Sequence, residues 1–336
     1  MTAYINFEVS VNDDESQIFN LNTLNFLGYL INVGVTFGAS TILDFPDNAE
    51  LSEKYQTLVT PKGTAFAIWG AIFILQFIFT VAQLTDKYRS STIVQKGVGQ
   101  WYFYTCLSQA AWTFAFGYEI VLLSLAFMSL ILFTLLKIVT VQDELTSTIN
   151  QESFWLLQFP FQLHCGWIFA AFAINFNVVL VAFGASESIQ IFFAVLSLFD
   201  FVAIAAFLLF YSSQSSALTI SSVLAWATFW IMMELDNPRI ENFSESNITK
   251  IKFATMIVFA AILIMIIVKT VDITRRQREG IETYDDGVIG VTIKKGEKKA
   301  KTDKGKKESK NEPIVLDPKP VLKDLRKQLN PKRLFT

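Results

Sequence analysis

Eight stretches of roughly 20 mostly apolar residues follow one another along this 336-residue chain, at about 22–43, 64–85, 98–117, 119–141, 156–183, 187–211, 215–235 and 250–271. Each is long enough to cross the hydrocarbon core of a bilayer as a helix. Inside lipid, a backbone N–H or C=O finds a partner only within a helix or a closed barrel, and the alternation of barrel strands is absent here. The predicted fold class is therefore all-α, a polytopic transmembrane helical bundle of about eight spans. The first stretch is the most polar, with Asn22, Asn25, Asn32 and Thr36. Only Gly117, Tyr118 and Glu119 part the third from the fourth, which predicts a tight antiparallel hairpin.

Composition narrows the function. Charged residues make up 17% of the chain, against about 25% in soluble globular domains, so an ordinary soluble domain is excluded. Two cysteines cannot build a disulfide scaffold, and with a single histidine they leave no ligand set for a protein-built zinc or iron–sulfur site. No Gly-rich phosphate loop, HExxH or GxSxG run is present. No catalytic residue, bound metal or required cofactor is expected, and an enzyme is the weakest reading.

Charge is divided between two regions of opposite sign. Residues 1–274 carry a net of −10 and residues 275–336 a net of +8. The acidic N-terminal segment, 1–21, has Glu8, Asp13, Asp14 and Glu15 before any basic residue, which suits neither a secretory signal nor a transit peptide. The basic tail contains KKGEKKAKTDKGKKESK from Lys294 to Lys310 and is expected to be disordered. It serves either as a solubilising cytosolic tail or as an arm for anionic lipid or an acidic partner. No aromatic residue interrupts the run, so nucleic-acid binding is not expected. Arg275, Arg276 and Arg278, just past the last stretch, favour a cytoplasmic tail. Two glycosylation sequons, at Asn242 and Asn247, then fall on the opposite side of the membrane.

Helical spacing gathers aromatic and polar residues on single faces. The second stretch aligns Phe66, Trp69, Phe73 and Gln76. The third aligns Trp101, Thr105, Ser108 and Trp112, with Gln109 alongside. The fifth aligns Pro160, His164, Trp167, Ala171 and Asn175. Lipid has no use for mid-membrane Asn, Gln or His, so these faces should turn inward, while Trp101 and Trp155 also suit an interfacial belt. The faces either pack helix on helix or wall an apolar pocket with a few polar handles. Flat rings suit a flat or bulky apolar guest such as a porphyrin, a sterol or a carotenoid.

Three runs resemble the TspO/MBR family of tryptophan-rich sensory and translocator proteins: EKYQTLVTPKGTAFAIW at 53–69, LSQAAWTFAFG at 107–117 and PFQLHCGWIFAAFAIN at 160–175. Trp167, Ala171 and Asn175 match the family's Trp-to-Asn spacing, while Leu107, Gln109 and Trp112 match its third-helix pattern. Pro61, Trp69 and Phe73 match the trio of the second helix, and SVLAWATFWI at 222–231 is similar to a helix of the longer members. Gln109 stands where the family usually has Asn, Phe73 where it has Tyr, and a double proline is reduced to Pro61. The resemblance implies a TspO-like five-helix core over 22–183, three further helices over 184–271 and a tail over 272–336. It also implies a porphyrin- or sterol-class ligand held by Trp69, Phe73, Gln109, Trp112, His164, Trp167, Ala171 and Asn175.

Other embedded groups keep alternatives open. Asp200 sits mid-way along the sixth stretch, where an acid costs roughly 2.5–3.5 kcal/mol to insert. It either stays protonated and bonds a neighbouring helix or couples a proton or cation to transport. His164 either donates to a carbonyl, ligates a porphyrin iron or relays a proton, and Cys106 and Cys165 read as small hydrophobes. Three roles follow: an apolar-ligand protein of binding, transport or sensing type, an ion-coupled transporter, or a structural membrane subunit. The expected partners are the bilayer and an apolar small molecule, and a homodimer is open.

Overall fold

A computed structural model describes residues 11–43, 46, 48–145, 151–211, 216–238, 240, 243–278, 281–282 and 293–294. Every apolar stretch becomes a helix. The order is α1 (Val11–Leu43), a short α2 (Asn48–Lys54), a 3₁₀ turn (Gly63–Ala67) running into α3 (Ile68–Ala82), then a π-helical turn (Ile93–Val98) before α4 (Trp101–Gly117). After α5 (Val121–Glu144), the three-residue α6 (Gln151–Ser153) leads through a π turn into α7 (Phe159–Ala182). Then come α8 (Glu187–Ala206), extended by a π turn to Tyr211, α9 (Ser216–Glu234) and α10 (Glu245–Arg278). Two-residue strands follow at Ile281–Glu282 and Ile293–Lys294. The basic tail lies almost wholly outside the described residues.

Six helices are long and apolar enough to cross a membrane: Gly63–Ala82, Val121–Glu144, Gln151–Ala182, Glu187–Phe210, Ser216–Glu234 and Glu245–Arg276. The other two expected spans are helices as well. α4 has 17 residues, just under membrane length, and α1 is long but more polar. The polar residues of α1 have specific partners. Asn22 Nδ2 donates to the carbonyls of Gln83 at 2.8 Å and Arg89 at 3.1 Å, and Asn25 Nδ2 donates to the Gly99 carbonyl at 3.0 Å. Gln95 Nε2 returns a bond to Asn22 Oδ1. These amides tie α1 to the end of α3 and the link beyond it, where an unpaired amide in lipid would cost several kcal/mol.

α7 is the central helix and packs on α3, α5, α8 and α9. Over its membrane window 56% is buried, against 17% for α10 at the periphery. Its seat against α9 depends on Gly166, where an added Cβ would lie 2.8 Å from Val223 Cβ and 3.2 Å from Ile220 Cα. The expected α4–α5 hairpin is present: Ile120 N–H bonds the Ala115 carbonyl at 2.8 Å. Its turn holds Glu119 at φ 59°, a left-handed conformation that a non-glycine residue rarely adopts.

Candidate functional site

The aromatic faces of α3, α4 and α7 meet at one place. Phe66, on the 3₁₀ turn, and Trp69 both set their rings edge-on to Trp167, at centroid distances of 5.8 and 6.3 Å. On α4, Trp112 and Phe116 stack at 5.2 Å. Between them lies a cavity of about 30 Å³, lined by Ser52, Phe66, Trp69, Trp112, Phe116, Met128, Trp167, Ala171, Ile174, Asn175 and Val178. That is room for little more than a water molecule or two. The rings already fill most of their shared space, so any larger guest requires them to part.

Polar groups at this cage are few. Trp112 Nε1 donates to Asn175 Oδ1 at 3.2 Å, and Asn175 Nδ2 donates to Ser124 Oγ on α5 at 3.1 Å. One amide therefore joins three helices. The Trp167 indole Nε1 is buried and has no acceptor among the described residues. A buried donor without a partner costs about 1–3 kcal/mol.

Five of the eight ligand residues read from the sequence line the cavity: Trp69, Trp112, Trp167, Ala171 and Asn175. The other three sit around it. Phe73 stacks on Trp69 at 5.9 Å, and its carbonyl accepts from Tyr29 Oη on α1 at 3.0 Å. Gln109 is buried, with Oε1 unpartnered among the described residues. His164 belongs to a buried chain behind Trp69. Tyr102 Oη donates to Gln76 Oε1 at 3.3 Å, and Gln76 Nε2 meets His164 Nδ1 at 2.8 Å, which occupies that nitrogen with an amide rather than a carbonyl. Cys106 and Cys165 are free thiols buried in the core. Asp200 lies on the outward face of α8, with no hydrogen-bond partner among the described residues. The expected bond from Asp200 to a neighbouring helix is therefore not made within the described chain, because the acid is turned away from α7, α9 and α10. Asn247 bonds Glu187 Oε1 at 2.8 Å just before the apolar part of α10, and Asn242 lies outside the described residues.

Sequence reading missed the cover of the cage. Ser52 on α2 closes one side, and α2 is held down through Glu119. The strained turn presents this carboxylate to Lys54 Nζ and to Tyr55 Oη, both at 2.5 Å. The hydrogen bond from Lys54, then that from Tyr55, holds the Glu119 carboxyl below its usual range. Further along, Gln56 Nε2 donates to Glu234 Oε1 at 2.5 Å, Lys62 N–H to the Trp230 carbonyl at 3.0 Å, and Trp226 Nε1 to the Ala65 carbonyl at 3.2 Å. Phe116, one turn after Trp112, and Ile174 and Val178, beside Ala171 and Asn175, follow the periodicity of residues already singled out. Ser52, Met128 and the Glu119 latch carry no such sequence signal.

A second recess lies on the bilayer side of α3. It is a groove of about 520 Å³ between α3, α7 and α9, lined by Ala67, Ile68, Ala71, Phe159, Leu163, Leu218, Thr219, Ser222, Val223 and Trp226. Its polar side chains are engaged elsewhere: Thr219 donates to Gln162 Oε1, Ser222 to the Leu218 carbonyl and Trp226 to the Ala65 carbonyl.

A sequence profile described as TSPO-like protein matches residues 22–268. The chain belongs to the TSPO-like family. The match begins in α1 and ends in α10, so the TSPO-like region includes α8, α9 and most of α10, beyond the helices that carry the aromatic cage. No curated protein and no solved structure matches the chain. This TSPO-like chain is an integral, multi-pass membrane protein, as its family and its six membrane-length helices together show.

Proposed function

We propose that this TSPO-like protein binds an apolar ligand of the porphyrin or sterol class between α3, α4 and α7, and that it transports or senses that ligand without catalysing a reaction on it. The observation that carries the reading is Trp167, a cavity-wall indole whose buried N–H has no acceptor among the described residues. A guest bearing a carbonyl, carboxylate or hydroxyl would supply the acceptor, while Trp69, Trp112 and Phe66 stack on its rings. In this reading the described cavity is the closed form, and a guest enters by displacing α2, which contributes Ser52 to the lining. The residues 22–183 form the ligand core in this reading, and the Arg-flanked tail end faces the cytoplasm.

The test is quenching of tryptophan fluorescence by protoporphyrin IX in the detergent-purified full chain. Trp167→Phe and Trp112→Ala are each expected to weaken binding roughly tenfold, the loss of one aromatic contact or hydrogen bond. Unchanged titrations in both variants would defeat the reading. The groove supports a second site for the same class of ligand, because at about 520 Å³ it has far more room than the cage. Trp226→Ala separates the two: a loss of quenching there, with Trp167→Phe silent, moves the ligand to the groove.

A further inference from the structure

Asp200 and Lys137 are charged residues on outward faces of membrane-length helices. Asp200 lies 13 residues after Glu187 and 10 before Phe210, near the middle of the α8 span. It shares its face with Phe192, Leu196, Phe199 and Phe207, all exposed. Lys137 lies on the outward face of α5, beside the exposed Leu130, Phe133 and Leu136. Neither charge has an ion partner among the described residues; Lys137 rests over its own helix neighbour Phe133. Single Asp and Lys side chains within spans are costly, and they are found paired or facing a bundle interior. A lysine eases the cost by reaching toward the membrane surface, but the short Asp side chain cannot.

The two sites stand at similar positions along their spans. The α5 and α8 spans are both 24 residues long, Val121–Glu144 and Glu187–Phe210. They run in the same direction, both starting at the end of the bundle where α3 begins. Lys137 is 16 residues into its span and Asp200 is 13 into its own, a difference of about 4.5 Å. Helical side chains lean toward the N-terminus, so the long lysine arm reaches back to the level of Asp200. Both helices pack on α7, and among the described residues they do not pack on one another. They therefore meet only between copies.

We infer that copies of this chain associate side by side in the membrane, the α8 face of one against the α5 face of the next, with Asp200 paired to Lys137 of the neighbouring copy. The contact is heterologous, so it generates a closed ring rather than a two-fold dimer if the rotation between copies closes. Phe199 and Leu196 pack against Phe133 and Leu130 around the pair and keep lipid from it.

Two variants, each with one added cysteine, test the arrangement with both charges intact. Leu196→Cys and Phe133→Cys each lie one turn before their charge, and the native Cys106 and Cys165 are buried. Full-length chains carrying one or the other are mixed in lipid vesicles and oxidised with copper phenanthroline. The expected product joins a Leu196→Cys chain to a Phe133→Cys chain, and neither variant alone forms it. Adding Asp200→Asn should lower the yield about tenfold, the loss of one polar contact in lipid, and the exchange Asp200→Lys with Lys137→Asp should restore it. Self-linking of Leu196→Cys alone, a yield indifferent to Asp200→Asn, or a foreign subunit held at Asp200 in place of a second copy would each overturn the inference.

Discussion

At the residue scale, the cage is organised by side chains that join helices rather than by any reactive group. Asn175 accepts from Trp112 and donates to Ser124, so Asn175→Ala strands the buried Trp112 N–H and cuts the tie to α5, while Ser124 keeps its bond to the Val121 carbonyl. The expected cost is about 1–3 kcal/mol, seen as a lower melting temperature in detergent by circular dichroism. Gly166 is equally local. Its Cβ would sit against Val223 at 2.8 Å, so Gly166→Val should force α7 from α9 and cost about 1–3 kcal/mol or more in the same melt. A melt equal to wild type would mean the two helices tolerate a wider spacing. The face bearing Trp167, Ala171 and Asn175 was legible, because helical period alone aligns them. Ser124 was not, since nothing in sequence says which residue of the next helix an amide will meet.

At the element scale, the short α2 and the α4–α5 turn act together. Burial of Ser52 over the cage depends on Lys54 and Tyr55 holding Glu119, and the turn keeps Glu119 at φ 59° to receive them. The Glu119 carboxyl is held below its usual range, so the folded chain binds its proton less readily than the unfolded chain does. Its contribution to stability is complete above the ordinary carboxylate value and is lost as pH falls through the lowered one. Acid should therefore loosen α2. Hydrogen exchange of residues 48–60 is expected to rise on acidification, and Glu119→Gln should show part of that rise at neutral pH. Protection that is flat across both changes would place the hold elsewhere, at Gln56 or Lys62. The asparagines of α1 make the complementary point. They weaken its reading as a span, yet Asn22 and Asn25 fasten it to the end of α3 and to Gly99. Their partners are carbonyls more than 55 residues away, and such pairings have no local signature.

At the scale of the whole molecule, alternating helices place the α2 cover, the end of α9 and the start of α10 on one side of the membrane. The end of α3 and the arginines of α10 lie on the other. Cysteines at Asp86 and Ser246 should thus react with a membrane-impermeant maleimide from opposite faces of sealed vesicles, and labelling of both from one face would refute this topology. The amino-acid sequence by itself determined that the chain lives in lipid as a helical bundle, because mostly apolar stretches of membrane length leave backbone groups no other way to be bonded. It also determined which helix faces turn inward, because the period of a helix is local. Tertiary structure alone decided how tightly the rings close, that α2 covers them through Glu119, and that Asp200 looks outward. These depend on which helices become neighbours, and packing between distant segments sets that at once for all of them.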